Sequence, residues 1–311
     1  MTERTREEFL ADRMRGIGGS DAAKVLGISR WGGPLTVFMD KTGRSPEREM
    51  TEEMRMGIIL EEVVARLFMT RTGLKAARVN RMLQHPEHPW MVANVDRRIV
   101  GMKKGLECKT AHFMKTSQWE GDDLPDDYYC QAQHYCAVTG WNSCWVAALV
   151  GGQRFIYKEV LRNDDFIGEM IAIEREFWHE YVLKDIAPAA NDVDDPSEFY
   201  PEDTTDSLLQ PTDRHIEMLG QIFALEGKAK ILESQIEGLK NQIKQDIGDM
   251  AGIDGIATWK RNRPSMKVDW EAVALELGAA PEIISRHTAV KPGVRTLRLA
   301  RKKFNSNEEA A

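Results

Sequence analysis

Asp96, Glu107 and Lys109 are residues whose types and spacing suit hydrolytic chemistry. They lie in Met91–Thr110, where apolar and β-branched residues alternate with polar ones on both sides of a lysine-containing turn, Gly101 to Gly105. That alternation predicts a β-hairpin with Asp96 on its first strand. Glu107 and Lys109 stand two apart on the second strand, so strand period turns both to one face and Cys108 to the other. Two carboxylates offer hard oxygen ligands to Mg²⁺, for which Mn²⁺ can substitute, and such an ion keeps waters that can act as nucleophile. The lysine can orient that water or steady charge growing on a phosphate. The set therefore fits metal-assisted phosphodiester hydrolysis. Taken alone, Glu-x-Lys on a strand is also the pattern of a solvated ion pair, so the flanking elements must decide.

The elements that would position these groups are legible on both sides. A helix is expected from about Glu52 to Arg71, stopping at Thr72-Gly73. Its apolar arc holds Leu60, Val63, Val64, Leu67 and Phe68, with Glu61 at the arc's edge and Glu62 turned toward solvent. A carboxylate bordering a core stripe needs a partner, so Glu61 is a candidate third metal ligand. Near the start, Gly16-Ile-Gly-Gly-Ser20-Asp21 precedes an apolar helical pattern, with Ser20 or Asp21 as a plausible N-cap and glycines that let backbone N–H groups approach an anion. A second short helix is expected over Leu35 to Lys41. His85 and His88 are separated by prolines from any helix that would align them, and are read as loop residues. A helix over Asp126 to Thr139 brings Gln131, Gln133, His134 and Tyr135 near the hairpin, with Gln131 read as facing water. Strands at Trp145–Leu149 and Phe155–Val160 and an amphipathic helix from Asp165 to Leu183 complete an α/β pattern.

Composition sets the outer limits. With 311 residues, 42% of them hydrophobic, the chain can build one large or two ordinary cores. No apolar run approaches the ~20 residues of a membrane span and the start lacks a signal-peptide pattern, so a cytoplasmic protein without membrane association is expected. Cys108, Cys130, Cys136 and Cys144 show no Cys-x-x-Cys spacing, so neither a zinc ribbon, a disulfide framework nor an iron–sulfur cluster is expected. The net charge of −7 is unevenly spread: Asp185 to Gln210 holds eight acidic and no basic residues, while Ala251 to Ala311 holds eleven basic against seven acidic. This predicts an N-terminal domain at 1–187 that carries the groups above, an acidic linker at 188–210, a helical segment at 211–250 and a small basic α+β module at 251–311. In the helical segment, Ile222, Leu225, Ala229, Leu232, Ile236, Leu239 and Ile243 alternate in steps of three and four, a coiled-coil-like pattern. The last module is read as a turn and strand through Arg263, a short helix around Val268 to Leu277 and a final strand, Val294 to Leu299. Within it, Trp259 among Lys260, Arg261 and Arg263 joins a stacking surface to phosphate-seeking charge, with a solvated basic edge as the alternative.

Val95-Asp96 followed by Glu107-Cys108-Lys109 resembles the core of the PD-(D/E)xK nucleases. Further motifs sharpen the match: Gly19-Ser20-Asp21, Gly57-x-x-Leu60-Glu61, His85-Pro86, Ala93-Asn94-x-Asp96, Leu106 to Thr110, Gln131-Ala-Gln133-His-Tyr135 and Ala137-Val-Thr-Gly140. In this order they are similar to the YqaJ-type viral recombinase nucleases, kin to the phage lambda exonuclease, over about residues 10 to 185. The resemblance implies a restriction-endonuclease-like α/β core, a mixed central sheet flanked by helices, here carrying a C-terminal helical and small α+β extension.

It also implies roles. Asp96, Glu107, Glu61 and the main-chain carbonyl of Cys108 match metal ligands, Lys109 the catalytic lysine, and Gln133 a glutamine beside the active site. Arg13 and Ser20 match residues that hold a terminal 5′-phosphate, and Asn94 and Lys115 stand where the lambda enzyme has serine and arginine. Lysine lacks arginine's planar fork, which weakens a bidentate grip on phosphate. The implied activity is a Mg²⁺-dependent 5′-to-3′ exodeoxyribonuclease that acts on double-stranded DNA ends. It would leave 3′ overhangs for phage-type recombination, as a ring-shaped trimer partnered by a single-strand annealing protein. The alternatives are an endonuclease or RecB-like nuclease on the same fold, or a non-catalytic DNA-end or recombinase-binding adaptor.

Overall fold

Glycines at 16, 18 and 19 lead into α1 (Gly19–Val25) in the computed structural model, which describes residues 13–46, 50–121, 123–263, 267–288 and 297. The N-cap is Gly18 rather than Ser20 or Asp21. Asp21, at the third helical position, accepts from the Gly18 N–H at 3.0 Å and so serves a donor that the helix cannot. α2 spans Pro34–Lys41, with proline at the position where a missing N–H costs nothing. α3 (Glu52–Thr72) starts under the Thr51 side chain, which accepts from Met54 N, and stops at Gly73, whose φ of 73° is the left-handed region glycine enters freely. Then come β1 (Ala76–Arg78), β2 (Leu83–Gln84), β3 (Val92–Ala93), β4 (Arg97–Ile99) and β5 (Lys104–Ala111). A 3-10 turn over Phe113–Trp119 leads to α4 (Asp126–Thr139), β6 (Ser143–Val150), β7 (Arg154–Leu161) and α5 (Asp164–Glu176), which runs on as a π-helical turn, Phe177–Val182.

The central sheet has five strands in the order β1-β4-β5-β6-β7. β4 runs antiparallel to both β1 and β5, β5 and β6 are parallel with Glu107 beside Val146, and β7 returns antiparallel. A parallel pair needs a crossover, and α4 supplies it. One face packs under α3 through Val64, Phe68, Leu106 and Ala147. The other packs under α4 with Cys144, Val146 and Ala148, in the larger cluster that also takes Ile17, Phe38, Met170 and Phe177. Glu107 and Lys109, odd-numbered in β5, therefore face α4, while Leu106 and Cys108 face α3.

α4 is anchored by a fully buried ion pair. His134 Nδ1–H donates to Glu174 Oε1 in α5 at 3.0 Å, and its Nε2–H donates to the Val92 carbonyl at 3.0 Å. Two acceptors facing both ring nitrogens call for the doubly protonated imidazolium. Burial works against that charge, but the Glu174 carboxylate and the carbonyl outweigh it and raise the His134 pKa above 6.5.

The chain divides into two compact units, Met1–Pro201 and Glu202–Ala311. Part of the segment expected to be an acidic linker belongs to the first unit's packing. Asp194 is 8% exposed, and its carboxylate accepts from Gly33 N at 2.8 Å, Thr36 N at 2.9 Å and Thr36 Oγ1 at 2.7 Å, capping α2 from 158 residues away. Phe199 packs against the same core. The second unit holds α6 (Asp213–Ile247), a two-stranded hairpin of β8 (Gly252–Ile253) and β9 (Ala257–Thr258), α7 (Trp270–Glu276) and α8 (Pro281–Arg286). The expected strand Val294–Leu299 and the basic Arg301–Lys303 lie outside the described residues, Leu297 apart. Among the described residues no helix is long and apolar enough to cross a membrane.

Candidate active site

Strand period places Glu107 and Lys109 side by side, and the Lys109 ammonium donates to Glu107 Oε1 at 2.7 Å. Glu107 is 5% exposed, so its carboxylate is held by the protein rather than by water. The same oxygen accepts from Gln131 Nε2 on α4 at 2.8 Å. The lysine head lies 5.2 Å from the centroid of the Tyr128 ring, whose negative face favours a cation. Burial alone would lower the Lys109 pKa, but the Glu107 and Asp96 carboxylates raise it, so the group stays an ammonium.

Asp96 is not on a strand, as expected, but at the bend just ahead of β4. β4 pairs with β5 only through Arg97↔Leu106 and Arg98↔Gly105, which leaves the next β5 edge group without a strand partner. Asp96 takes that place: its Oδ2 accepts from Cys108 N at 2.8 Å. N–H and C=O of one strand residue point the same way, so the Cys108 carbonyl is directed along the same edge. Burial, then Glu107, then Glu61 push the Asp96 pKa well above 3.8. Glu107 Oε2 is buried with no hydrogen-bond partner.

An orphaned carboxylate oxygen beside a second carboxyl that resists ionisation marks a place short of positive charge. A hard divalent cation fits both groups and would relieve both penalties. Among the described residues, however, no three acidic, histidine or cysteine side chains already converge as a ligand cage. Asp96, Glu107 and the Cys108 carbonyl are the groups that could hold the ion, with Glu61 a step removed.

Glu61 is withheld by Arg97, whose Nη1 donates to Glu61 Oε1 at 2.5 Å. Glu61 is 29% exposed, and it sits close enough to Asp96 to raise that carboxyl's pKa. Arg97, 4% exposed, also donates from Nη2 to Glu62 Oε2 at 3.0 Å. Glu62, expected to be merely solvated, is the hub of three arginines: hydrogen bonds from Arg78 and Arg66, with Arg97 behind them, hold its pKa down at about 2. Helix spacing offers Arg66, four residues on along α3, but could not find Arg78 and Arg97, which come from β1 and β4.

The two glutamines of α4 exchange roles relative to expectation. Gln133 is not at the site: its Nε2 donates to the Leu161 carbonyl at 2.8 Å and its Oε1 accepts from Asn163 N at 3.0 Å, which ties the end of β7 to α4. Gln131, expected to face water, is 6% exposed and bonds Glu107 and, at 2.7 Å, the Tyr135 hydroxyl. Two residues on a helix lie ~200° apart, so only one of the pair can face the strand. Tyr128, Gln131 and Tyr135, spaced three and four apart, share the facing side. That spacing was the available signal.

The N-terminus of α1 presses on this same group. A Cβ on Gly19 would stand 2.6 Å from Tyr135 Cε1 and 3.1 Å from Gln131 Cγ, so only glycine permits the approach. Ser20, the next residue, is exposed there. The Tyr135 hydroxyl donates to the Asn94 carbonyl at 3.0 Å, which brings Asn94 to the same corner. Arg13 Nη2 donates to Asp21 Oδ1 at 3.2 Å, and its side chain is 37% exposed. Burial would raise the Asp21 pKa, but Lys41 and Arg13 hold its carboxyl well below the usual range. The Lys115 ammonium lies 3.9 Å from the centroid of the exposed Trp31 ring. In the second unit Trp259, Lys260, Arg261 and Arg263 follow β9 and are all exposed.

The geometry is that of a restriction-endonuclease-like PD-(D/E)xK core, with the acidic residue at a strand entry and Glu-x-Lys on the next strand. A family model described as a YqaJ-like viral recombinase domain matches residues 8–142. The sequence is 37% identical over 255 residues, 80% of each chain, to the uncharacterised protein YqaJ of Bacillus subtilis (strain 168). Among solved structures it is similar to an alkaline exonuclease from Laribacter hongkongensis, with a TM-score of 0.48 and 18% identity over 58% of this chain and 94% of that one. It is also similar to a phage-related exonuclease from Haemophilus somnus 129PT, with a TM-score of 0.42 and 13% identity over 54% of this chain and 96% of that one.

Proposed function

This chain belongs to the YqaJ-like viral recombinase family, and from that premise we propose that it is a divalent-metal-dependent deoxyribonuclease working from DNA ends. The observation that carries the reading is the buried, unpartnered Glu107 Oε2 beside Asp96, with the Lys109 ammonium on the other oxygen of the same carboxylate. Such an arrangement is costly in a resting fold and useful around a cation and a phosphodiester.

Asp96, Glu107 and the Cys108 carbonyl would hold Mg²⁺ or Mn²⁺, joined by Glu61 once it leaves Arg97. When bound, the ion supplies Lewis-acid polarisation of the phosphate and charge for the attacking and leaving oxygens. The chain's own groups do the rest. Gln131 and Lys109 fix Glu107 from one side, so the carboxylate cannot turn away. Lys109, pinned over Tyr128, orients the attacking water and steadies the phosphorane oxygens. Water oxygen bonds to phosphorus, the bond to the 3′-oxygen breaks, and that oxygen takes a proton as it leaves. Arg13, Ser20, Asn94 and Lys115 would receive the terminal 5′-phosphate. On this reading digestion runs 5′-to-3′ and leaves 3′ overhangs for single-strand annealing, and the family resemblance adds an annealing protein as partner and a ring-shaped trimer as the processive form.

Linear duplex labelled on either strand, with and without a 5′-phosphate, tests the reading in Mg²⁺, Mn²⁺ and chelator. Faster loss of the 5′-phosphorylated strand, none in chelator and none on closed circles is expected. Attack from 3′ ends overturns the polarity, cutting of circles overturns end dependence, and undiminished digestion in chelator overturns the metal.

A further inference from the structure

α6 is 35 residues long, ~50 Å at about 1.5 Å per residue. No other described helix or strand lies along it. A stripe of large apolar side chains on it stands open: Leu225 is 63% exposed, Leu232 58%, Ile236 51% and Leu239 61%. An exposed stripe of this kind adds nothing to a helix's stability, and Gly220, Gly227 and Gly238 each weaken it by up to ~1 kcal/mol relative to alanine. Something must cover the stripe for the helix to persist.

We propose that α6 pairs, parallel and in register, with α6 of a second copy of this chain as a two-stranded coiled coil. The residue types specify this occupant. Counting Ile222 as position a puts Ile, Ala, Ile and Ile at the a positions 222, 229, 236 and 243 and leucine at the d positions 225, 232 and 239; Met218 and Asp246 at the outer d positions and His215 at the outer a position bound the seam to these three heptads. β-Branched residues at a with leucine at d favour two parallel strands over three or four. On the same count Gly220 and Gly227 are f and Gly238 is c, all on the side away from the seam, where a missing side chain costs no packing.

Charge fixes the direction. Lys228 is the charged g residue and Glu233 the e residue five positions on, the pair that meets across a parallel seam, and it does so twice by symmetry. Neither makes an ion pair within the described chain. The matching antiparallel register would set Glu233 against its own copy. The pairing uses the second unit alone and holds whether or not the nuclease reading is right; with one α6 per chain it cannot be satisfied within a ring of three, so beside such a ring it links chains of two rings.

Full-length chains carrying Leu232→Cys, compared with the parent under mild oxidation by oxidised glutathione, test it directly. The parent is a fair control because Cys130, Cys136 and Cys144 are buried and Cys108 half-buried. A reducible two-chain species is expected from Leu232→Cys and not from the parent. Mixing Ala229→Cys with tagged Leu239→Cys chains should give only like-with-like links, whereas links confined to unlike chains would mean an antiparallel coil and overturn the proposal. Lys228→Glu should weaken association roughly threefold to tenfold and Glu233→Lys in the same chain should restore it. Absence of linkage at all three cysteine positions refutes the pairing, even if the chain sediments as an oligomer through its nuclease units.

Discussion

The side-chain amide of Gln131 on α4 donates to Glu107 Oε1 on β5 at 2.8 Å, so a helix on one side of the chain's crossover clamps a strand residue on the other. Lys109 shares that oxygen at 2.7 Å, while Oε2 has no partner. One oxygen is anchored and the other is offered.

Gln131→Ala should lower the single-turnover rate on linear duplex by about 10–100-fold, the usual cost of removing a group that orients a ligand. Gln133→Ala should leave that rate nearly unchanged but lose on the order of 1–3 kcal/mol in urea unfolding, because Asn163 N–H and the Leu161 carbonyl both lose a partner. If the rate loss follows Gln133 instead, the site has been drawn on the wrong face of α4.

Lys109→Ala should cut the rate at least ~100-fold while the affinity for duplex, measured in Ca²⁺, changes far less. On the proposed reading the ammonium acts in the transition state rather than in gripping substrate. A variant that digests as fast as the parent would remove lysine from the chemistry.

Asp96 makes the metal-free protein less stable than it need be. As pH rises from 3.8 toward the raised pKa, the folded chain keeps a proton that the unfolded chain has lost, so stability falls across that window and stays lower above it. Asp96→Asn should therefore abolish cleavage yet raise the metal-free Tm, by roughly 2–4 °C for each ~1 kcal/mol gained in a unit of this size. Mg²⁺ should raise the Tm of the parent and leave that of the variant almost unmoved. Calorimetry in which the variant melts lower than the parent without metal contradicts this.

The His134–Glu174 pair has the opposite sign. A folded pKa above 6.5 means its contribution is fully present below pH 6.5 and is lost as pH climbs through the raised value. His134→Gln should cost on the order of 3–5 kcal/mol at pH 6, the range for breaking a buried pair, and less at pH 9. Urea titrations giving the same gap at both pH values would show that the pair does not lose its proton between them and overturn this pH dependence.

Much of the site follows from local periodicity, which is a property of sequence. Strand period alone put Glu107 and Lys109 together and Cys108 behind them, and caps and glycines marked α2 and α3 to within a residue or so. What needed the tertiary structure were phases and distant partners. Which glutamine meets Glu107 depends on how α4 is rotated over the sheet, and a sequence fixes spacing along a helix but not that rotation. Glu61 and Glu62 share a helix, yet their partner Arg97 comes from β4, so the restraint on the one could not be read from α3, and of the arginines around the other only Arg66 could. Asp194, in a stretch whose composition reads as linker, is a buried helix cap because α2 presents free N–H groups to it from the far end of the unit. Short-range chemistry repeats along the chain and is legible there; pairing energies between distant segments exist only once the core has brought them together.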